Sequence, residues 1–497
     1  MNPFRGLEFF DSEHAPLFFG RAKVIENVLE VLRQQTAVRR PFVLVLGPGA
    51  SGKTSLVRAG ILPALTQTGT FEGDRPWRIV FTRPSGGRTG DPVDALAASL
   101  LQGLALPEFP DAANENGWQE LAAELRETPE DAALRLREAL QSLGPQAPNG
   151  KPGGQNSEAP PASPRQSVDL LGQTKPAASK VRVAVVVDQL EELFQVPSEL
   201  QRKYIAALGA LVKWRTTFVI AALRSDFSAA FQQCCNPGDI AVRDQSEFSA
   251  RDLNIGEVLA GRFDLPAPTT AEIGEMIRSP ADATGLRFER DPATGQSLDE
   301  ALLEAATGVG EPLPLLEHLL SQLYQRQLQR NDGLLSWSDY RELGGLEGAL
   351  ANHAEGVFSA LDTDAQAALQ PIIRQLASAG LGEEAALARR TVLNRDLTST
   401  PEFNEDQKAG AERLIDRFIG EGLFHSETSP NAENLVSISQ CLLRNWPRAR
   451  QLLDESQGLL RSRDRMEPDF KHWLSGGRKS TDLLSTRSGV RDAKNFA

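Results

Sequence analysis

Phe42-Val43-Leu44-Val45-Leu46-Gly47-Pro48-Gly49-Ala50-Ser51-Gly52-Lys53-Thr54-Ser55 is the stretch on which the fold turns. The apolar run Phe42 to Leu46 is far short of the roughly 20 residues that span a bilayer. It reads as a strand buried on both faces, the mark of a parallel sheet. The strand runs into G-x-x-x-x-G-K-[ST], spelled by Gly47 to Thr54, and a helix carrying Leu56, Val57 and Ala59 follows. In that setting the backbone N–H groups of a glycine-rich loop wrap phosphate oxygens, and the helix dipole favours their charge. Gly47, Gly49, Ser51, Gly52, Lys53, Thr54 and Ser55 are therefore the candidate phosphate-binding residues. In this role Lys53 reaches the β- and γ-phosphates and Thr54 ligates Mg²⁺.

A second buried run, Val183 to Val187, ends at Asp188. A strand of this kind delivers its carboxylate to the C-terminal edge of the sheet, where open α/β sheets bind ligands. Asp188 is the expected partner of Mg²⁺. Gln189-Leu190-Glu191-Glu192 follows, and either Glu191 or Glu192 is placed to orient or deprotonate an attacking water; spacing does not choose between them. A further strand, Thr217 to Leu223, closes on Arg224, a cation set to meet a γ-phosphate.

Working outward, residues 21–35 carry an amphipathic helix (Val24, Ile25, Val28, Val31, Leu32) directly after Phe18-Phe19-Gly20-Arg21. Arg78 to Thr82 reads as another strand, and Asp91-Pro92 opens a helix with a capping residue and proline at the first turn. Residues 142–180 are Gly, Pro, Gln, Ser and Ala with scarcely a large apolar side chain, a composition that does not offset its ordering entropy. They are expected to form a disordered insertion between elements of one sheet, and the Val183–Val187 strand is expected beside the first. Beyond Pro266 the strand pattern gives way to helices, with capping-box spacing at Thr269/Glu272 and Ser297/Glu300. From Asp362 onward, helices and a hairpin (Gly422 to His425, Leu435 to Ile438) predict a winged helix.

The chain has 497 residues, 53 Lys plus Arg and 66 Asp plus Glu, a net charge of −13. That length accommodates roughly three domains, and the acidic balance leaves no electrostatic footprint for nucleic acid. No nucleic-acid partner and no membrane are expected. The cysteines Cys234, Cys235 and Cys441 make no disulfide framework or metal-ligand spacing, and no secretory signal is visible, so a cytoplasmic protein is expected.

With these elements in place the sequence resembles the novel bacterial branch of the STAND NTPases, signal-transduction ATPases related to NACHT and NB-ARC proteins. The segments that carry the likeness are Phe18-Phe19-Gly20-Arg21, the phosphate loop continued by Leu56 to Leu65, Val187 to Phe194, and Arg224-Ser225-Asp226-Phe227. Leu313-Pro314-Leu315-Leu316, Tyr340 with Leu343 to Leu350, and Leu443-Arg444-Asn445-Trp446-Pro447 extend it over nearly the whole chain.

The resemblance implies an α/β P-loop NTPase with an AAA+/STAND-like parallel sheet (1–265), a helical lid domain (266–361), a winged-helix domain (362–475) and a tail (476–497). It implies a switch that binds ATP or ADP with Mg²⁺ and hydrolyses ATP slowly. A closed ADP-bound monomer would open with ATP into a homo-oligomer, with sensor or effector partners beyond this chain. Carried over by position, Gly20 and Arg21 lie near adenine or ribose, Lys53 and Thr54 at phosphate and metal, and Asp188 at Mg²⁺. Glu191 or Glu192 serves hydrolysis, Arg224 senses the γ-phosphate and Pro314 packs on the nucleotide.

Where the family usually has His-Glu ahead of its last conserved helix, this chain has Ser439-Gln440, so a leakier off state is expected. Two other readings compete: a constitutively cycling ATPase of the AAA+/origin-recognition type, and a nucleotide-bound scaffold that never hydrolyses.

Overall fold

A computed structural model describes residues 2–67, 69–70, 76–85, 91–104, 117–142, 181–213, 217–235, 261–309, 312–378, 388–399, 403, 405–428 and 434–475. The expected insertion lies outside the described residues except for Ser142, which closes the helix Pro129–Ser142, and the tail lies outside them as well.

Strands β1 (Phe42–Gly47), β2 (Trp77–Thr82), β3 (Arg182–Val187), β4 (Thr217–Arg224) and β5 (Arg262–Asp264) form one sheet in the order β2-β3-β4-β1-β5, and every pairing is parallel. All residues of β1, β3 and β4 are buried, as the unbroken apolar runs require. The expectation that Val183–Val187 pairs with the first strand is corrected: β4 sits between them, its Val219 facing Phe42 on one side and Val185 on the other. The crossover helix Ser198–Val212 joins β3 to β4, and with each chain reversal carried by a crossover, sequence alone leaves open which slot the next strand fills. Two apolar layers cover the sheet, one including Leu44, Leu96, Val185 and Tyr204, the other Val28, Val45, Leu56 and Ile220.

The parallel register puts all strand C-termini at one edge. Gly47 stands opposite Arg224, and Val187 is level with both Thr82 and Ala221. The phosphate loop, Asp188, Arg224 and the residues after β2 therefore converge there by topology alone.

After the sheet come the helices Thr270–Ala283, Leu298–Thr307, Pro312–Arg330 and Gly345–Ser359. Both capping boxes form, Thr269 with Glu272 and Ser297 with Glu300. The segment is not wholly helical, because Arg287–Phe288 and Leu334–Leu335 pair as short parallel strands. Further on, Phe424–Thr428 and Asn434–Ile438 form the expected antiparallel hairpin, and Thr391–Leu393 adds a third strand to it. The helix Gln440–Asn445 and the long helix Pro447–Ser475 follow.

One connected apolar cluster serves both of these regions, running from Ile273 to Leu460 and taking in Phe4 from the N-terminus. Trp446, fully buried, joins them: its ring lies against Phe358 and Phe418, and its Nε1–H donates to Glu355 at 2.9 Å. Among the described residues no helix is long and apolar enough to cross a membrane.

Candidate functional site

The loop after β1 bends through two left-handed residues, Ala50 (φ 58) and Gly52 (φ 82), before its helix begins at Lys53. A non-glycine residue at positive φ stores strain that functional loops tolerate. Lys53 Nζ donates to the carbonyls of Gly47 at 2.9 Å and Pro48 at 2.7 Å, and Ser51 Oγ donates to Pro48 O at 2.8 Å. Ser55 Oγ accepts from the Phe10 N–H at 3.1 Å, tying the N-terminal segment to the end of the loop.

Asp188, only 4% exposed, sits between two partners: Thr54 Oγ1 donates to its Oδ1 at 3.0 Å and Arg83 Nη2 donates to its Oδ2 at 3.2 Å. Gln189 follows at φ 54, a strained turn that throws the next residues back toward the strand ends as the 3₁₀ helix Leu190–Gln195. Glu192 is buried and receives Ser85 Oγ at 2.5 Å. Arg224 is buried as well. It donates to both carboxylate oxygens of Asp226, at 3.1 and 2.6 Å, and through Nη1 to Gln440 Oε1 at 3.4 Å.

These groups line one cavity of about 310 Å³. Gly49, Ser51, Gly52, Lys53, Thr54, Ser55, Asp188, Glu191, Glu192, Arg224, Arg21 and Pro314 all reach its wall. Gly20 and Gly47 are not on that wall and act on it indirectly. Gly47 offers its carbonyl to Lys53, and Gly20 (φ +75) lets the helix Thr270–Ala283 come so close that a Cβ there would lie 2.5 Å from Glu272 O. Arg21 is 3% exposed, spends Nη1 on Pro266 O at 3.2 Å, and leaves Nη2 buried without a hydrogen-bond partner among the described residues. Burial holds its guanidinium below the usual arginine range, with Glu272 pulling the other way.

Three contributors escaped the sequence reading. Arg83 follows β2 as Arg224 ends β4, so the strand-end rule that singled out Asp188 applied to it equally. Ser85, two residues on, holds Glu192. Glu317 lies one turn after Pro314 on the same helix face, the i,i+3 spacing that puts both on one wall.

The donor set suits Mg²⁺: a buried carboxylate and a hydroxyl 3.0 Å apart beside a cradle of backbone N–H groups, with room for phosphate oxygens to complete an oxygen shell. Among the described residues no group of three or more His, Cys, Asp or Glu is placed to hold a metal ion.

Residues 3–481 match the family model described as Novel STAND NTPase 1. The chain belongs to that family. This STAND NTPase is thus a P-loop NTPase. No curated protein matches it in sequence.

Among solved structures it is similar to the Aeropyrum pernix ORC1 protein in complex with DNA, at 12% identity over 90% of this chain and 95% of that one, TM-score 0.43. It is similar also to the Aeropyrum pernix ORC2 protein in ADPNP–ADP complexes, at 12% over 88% and 93%, TM-score 0.44, and to Cdc6p from Pyrobaculum aerophilum, at 12% over 88% and 94%, TM-score 0.37. Likenesses so distant carry no argument about function.

Proposed function

We propose that this STAND NTPase is a nucleotide-dependent switch: it holds ADP with Mg²⁺ in a closed form, opens and self-associates with ATP, and returns by slow hydrolysis. One observation carries the reading. Gln440, from the helix after the C-terminal hairpin, reaches the phosphate loop and Arg224 together: a Cβ on Gly49 would lie 2.4 Å from its Oε1, and Arg224 Nη1 donates to that same oxygen. Closure of the C-terminal region and occupancy of the phosphate site thus share atoms, so a γ-phosphate that recruits Arg224 competes with Gln440.

In this reading the loop N–H groups and Lys53 bind the phosphates, and Thr54 and Asp188 hold Mg²⁺, which neutralises phosphate charge when bound. Arg21 and Pro314 line the nucleoside side. Glu191 and Glu192 both line the cavity, Glu192 with Ser85 Oγ on its Oε2, and either one orients the attacking water. Gln440 takes the part that the family's His-Glu pair suggests for this turn.

Driving such a switch from 99:1 to 1:99 takes about 5.5 kcal/mol of differential binding. One charge-assisted hydrogen bond of the Arg224–Gln440 kind supplies about 1.5–3 kcal/mol of it.

The test is nucleotide carried through purification. The native chain is expected to retain ADP, Lys53→Ala to lose it, and Gln440→Ala to release it faster and shift toward larger species with ATP. Equal ADP retention and unchanged size distribution in Gln440→Ala would sink the latch.

A further inference from the structure

We propose that Glu317 donates a hydrogen bond to the nucleoside part of the ligand, at a ring nitrogen or ribose oxygen, and that residues 2–10 form a strap that holds it in place. This rests on the nucleotide-site reading above and adds to it the group that meets the nucleoside.

The phosphate end of the cavity is defined by the loop and the strand ends. Besides those residues the cavity is lined by Phe10, Phe18, Phe19, Met276, Leu313 and Pro314. Walls of this kind suit a flat, largely apolar ring, with few polar groups to orient it. Glu317 lines the same cavity. Its Oε2 accepts the Arg5 N–H at 3.2 Å, and its Oε1 has no hydrogen-bond partner among the described residues.

Arg5 is held from both directions. Asn2 Nδ2 donates to Ser321 Oγ at 3.0 Å on the same helix as Glu317, and Phe4 is fully buried in the apolar cluster of that helical region. Downstream, Phe10 N–H is fixed on Ser55 Oγ at 3.1 Å. The strap therefore runs from the helical region to the phosphate loop, and its Gly6 to Phe10 section forms part of the cavity wall.

A carboxyl in an apolar wall is costly to ionise. Burial pushes the Glu317 carboxyl up to about 8, against the opposing pull of the Arg5 N–H and charge. With Oε2 occupied as an acceptor, the proton belongs on Oε1, the oxygen open to a ligand. Phosphate oxygens have their own donors at the loop, so the nucleoside is the part of the ligand left to accept it.

The experiment compares ATP with inorganic tripolyphosphate, which shares the phosphates and lacks the nucleoside, on the full chain by calorimetry. Glu317→Leu is expected to weaken ATP about tenfold, the size of one lost hydrogen bond, and to leave tripolyphosphate unchanged. Glu317→Gln, whose amide oxygen can accept Arg5 N–H while its N–H faces the ligand, is expected to stay within about threefold of native for ATP. Equal losses for both ligands in Glu317→Leu would reduce the residue to a prop for the strap, and no loss for either would remove it from the site. Failure of the native chain to bind either ligand would instead overturn the nucleotide-site reading itself.

Discussion

Gly20 carries two constraints that no other residue type satisfies together: a φ of +75 and a helix backbone that a Cβ would approach to 2.5 Å. Gly285 has nearly the same φ, +74, with no atom within 4 Å of a Cβ. The pair separates conformational strain from steric collision. Gly285→Ala is expected to cost about 1–2 kcal/mol, the left-handed penalty alone. Gly20→Ala is expected to exceed it by at least about 1 kcal/mol, because the carbonyl of Glu272 has to move with its helix. Urea unfolding of both variants measures the difference, and equal losses would mean that the helix yields freely. Gly49 belongs to a third case, since the obstacle there is the far end of the Gln440 side chain, which swings aside more cheaply than backbone.

At the scale of elements, the helices Pro312–Arg330 and Gly345–Ser359 meet through His318 stacked on His353, ring centroids 5.2 Å apart. Burial, reinforced by the His353 charge, pushes His318 from its ordinary 6.5 down to about 3. His353 is lowered as well, mainly by burial and partly by Arg417, while its contact with Glu421 at 3.3 Å opposes the shift. A histidine with a depressed folded pKa binds its proton in the unfolded chain first. Its contribution to stability is intact above the unfolded value and is lost as pH falls from about 6.5 toward 3. Going from pH 7 to pH 5 is therefore expected to remove about 2 kcal/mol through His318 alone. Denaturant midpoints at the two pH values measure this, and His318→Leu should flatten the difference by about that amount; an unchanged pH slope in the variant would exclude His318 as its source.

Across the whole molecule, the N-terminal strap links regions that are distant in sequence. Phe4 is buried among residues of the helical region, and Asp11 reaches Arg58 at 3.1 Å beyond the phosphate loop. Arg58 also lies over the rings of Phe9 at 4.5 Å and Phe81 at 4.4 Å. Phe4→Ala, a truncation of the kind that costs about 3–5 kcal/mol in a core, is expected to detach the strap before it unfolds either region. The observable is release of a fluorescent ATP analogue chased with ATP, faster by about tenfold. Release at the native rate would show that the wall formed by Gly6 to Phe10 does not retain the ligand. Gln440 works across the same cleft from the other end of the chain.

What the sequence by itself determined is local and periodic. The unbroken apolar runs dictated buried parallel strands, the Gly47–Thr54 spacing dictated a phosphate loop, and the two capping boxes dictated where helices begin, because each depends on neighbours a few residues apart. The positions of Asp188 and Arg224 were legible for the same reason, since a strand end marks its own place at the sheet edge. The sheet order was decided only by the tertiary structure, where β4 entered between β3 and β1. So were the pairing of Arg83 with Asp188, the hold of Ser85 on Glu192, the Phe4 anchor and the meeting of Gln440 with Gly49. These side-chain contacts join residues from 105 positions apart, Arg83 and Asp188, to nearly 400, Gly49 and Gln440, and the free energy that selects them comes from burying shared surface, which no local pattern records.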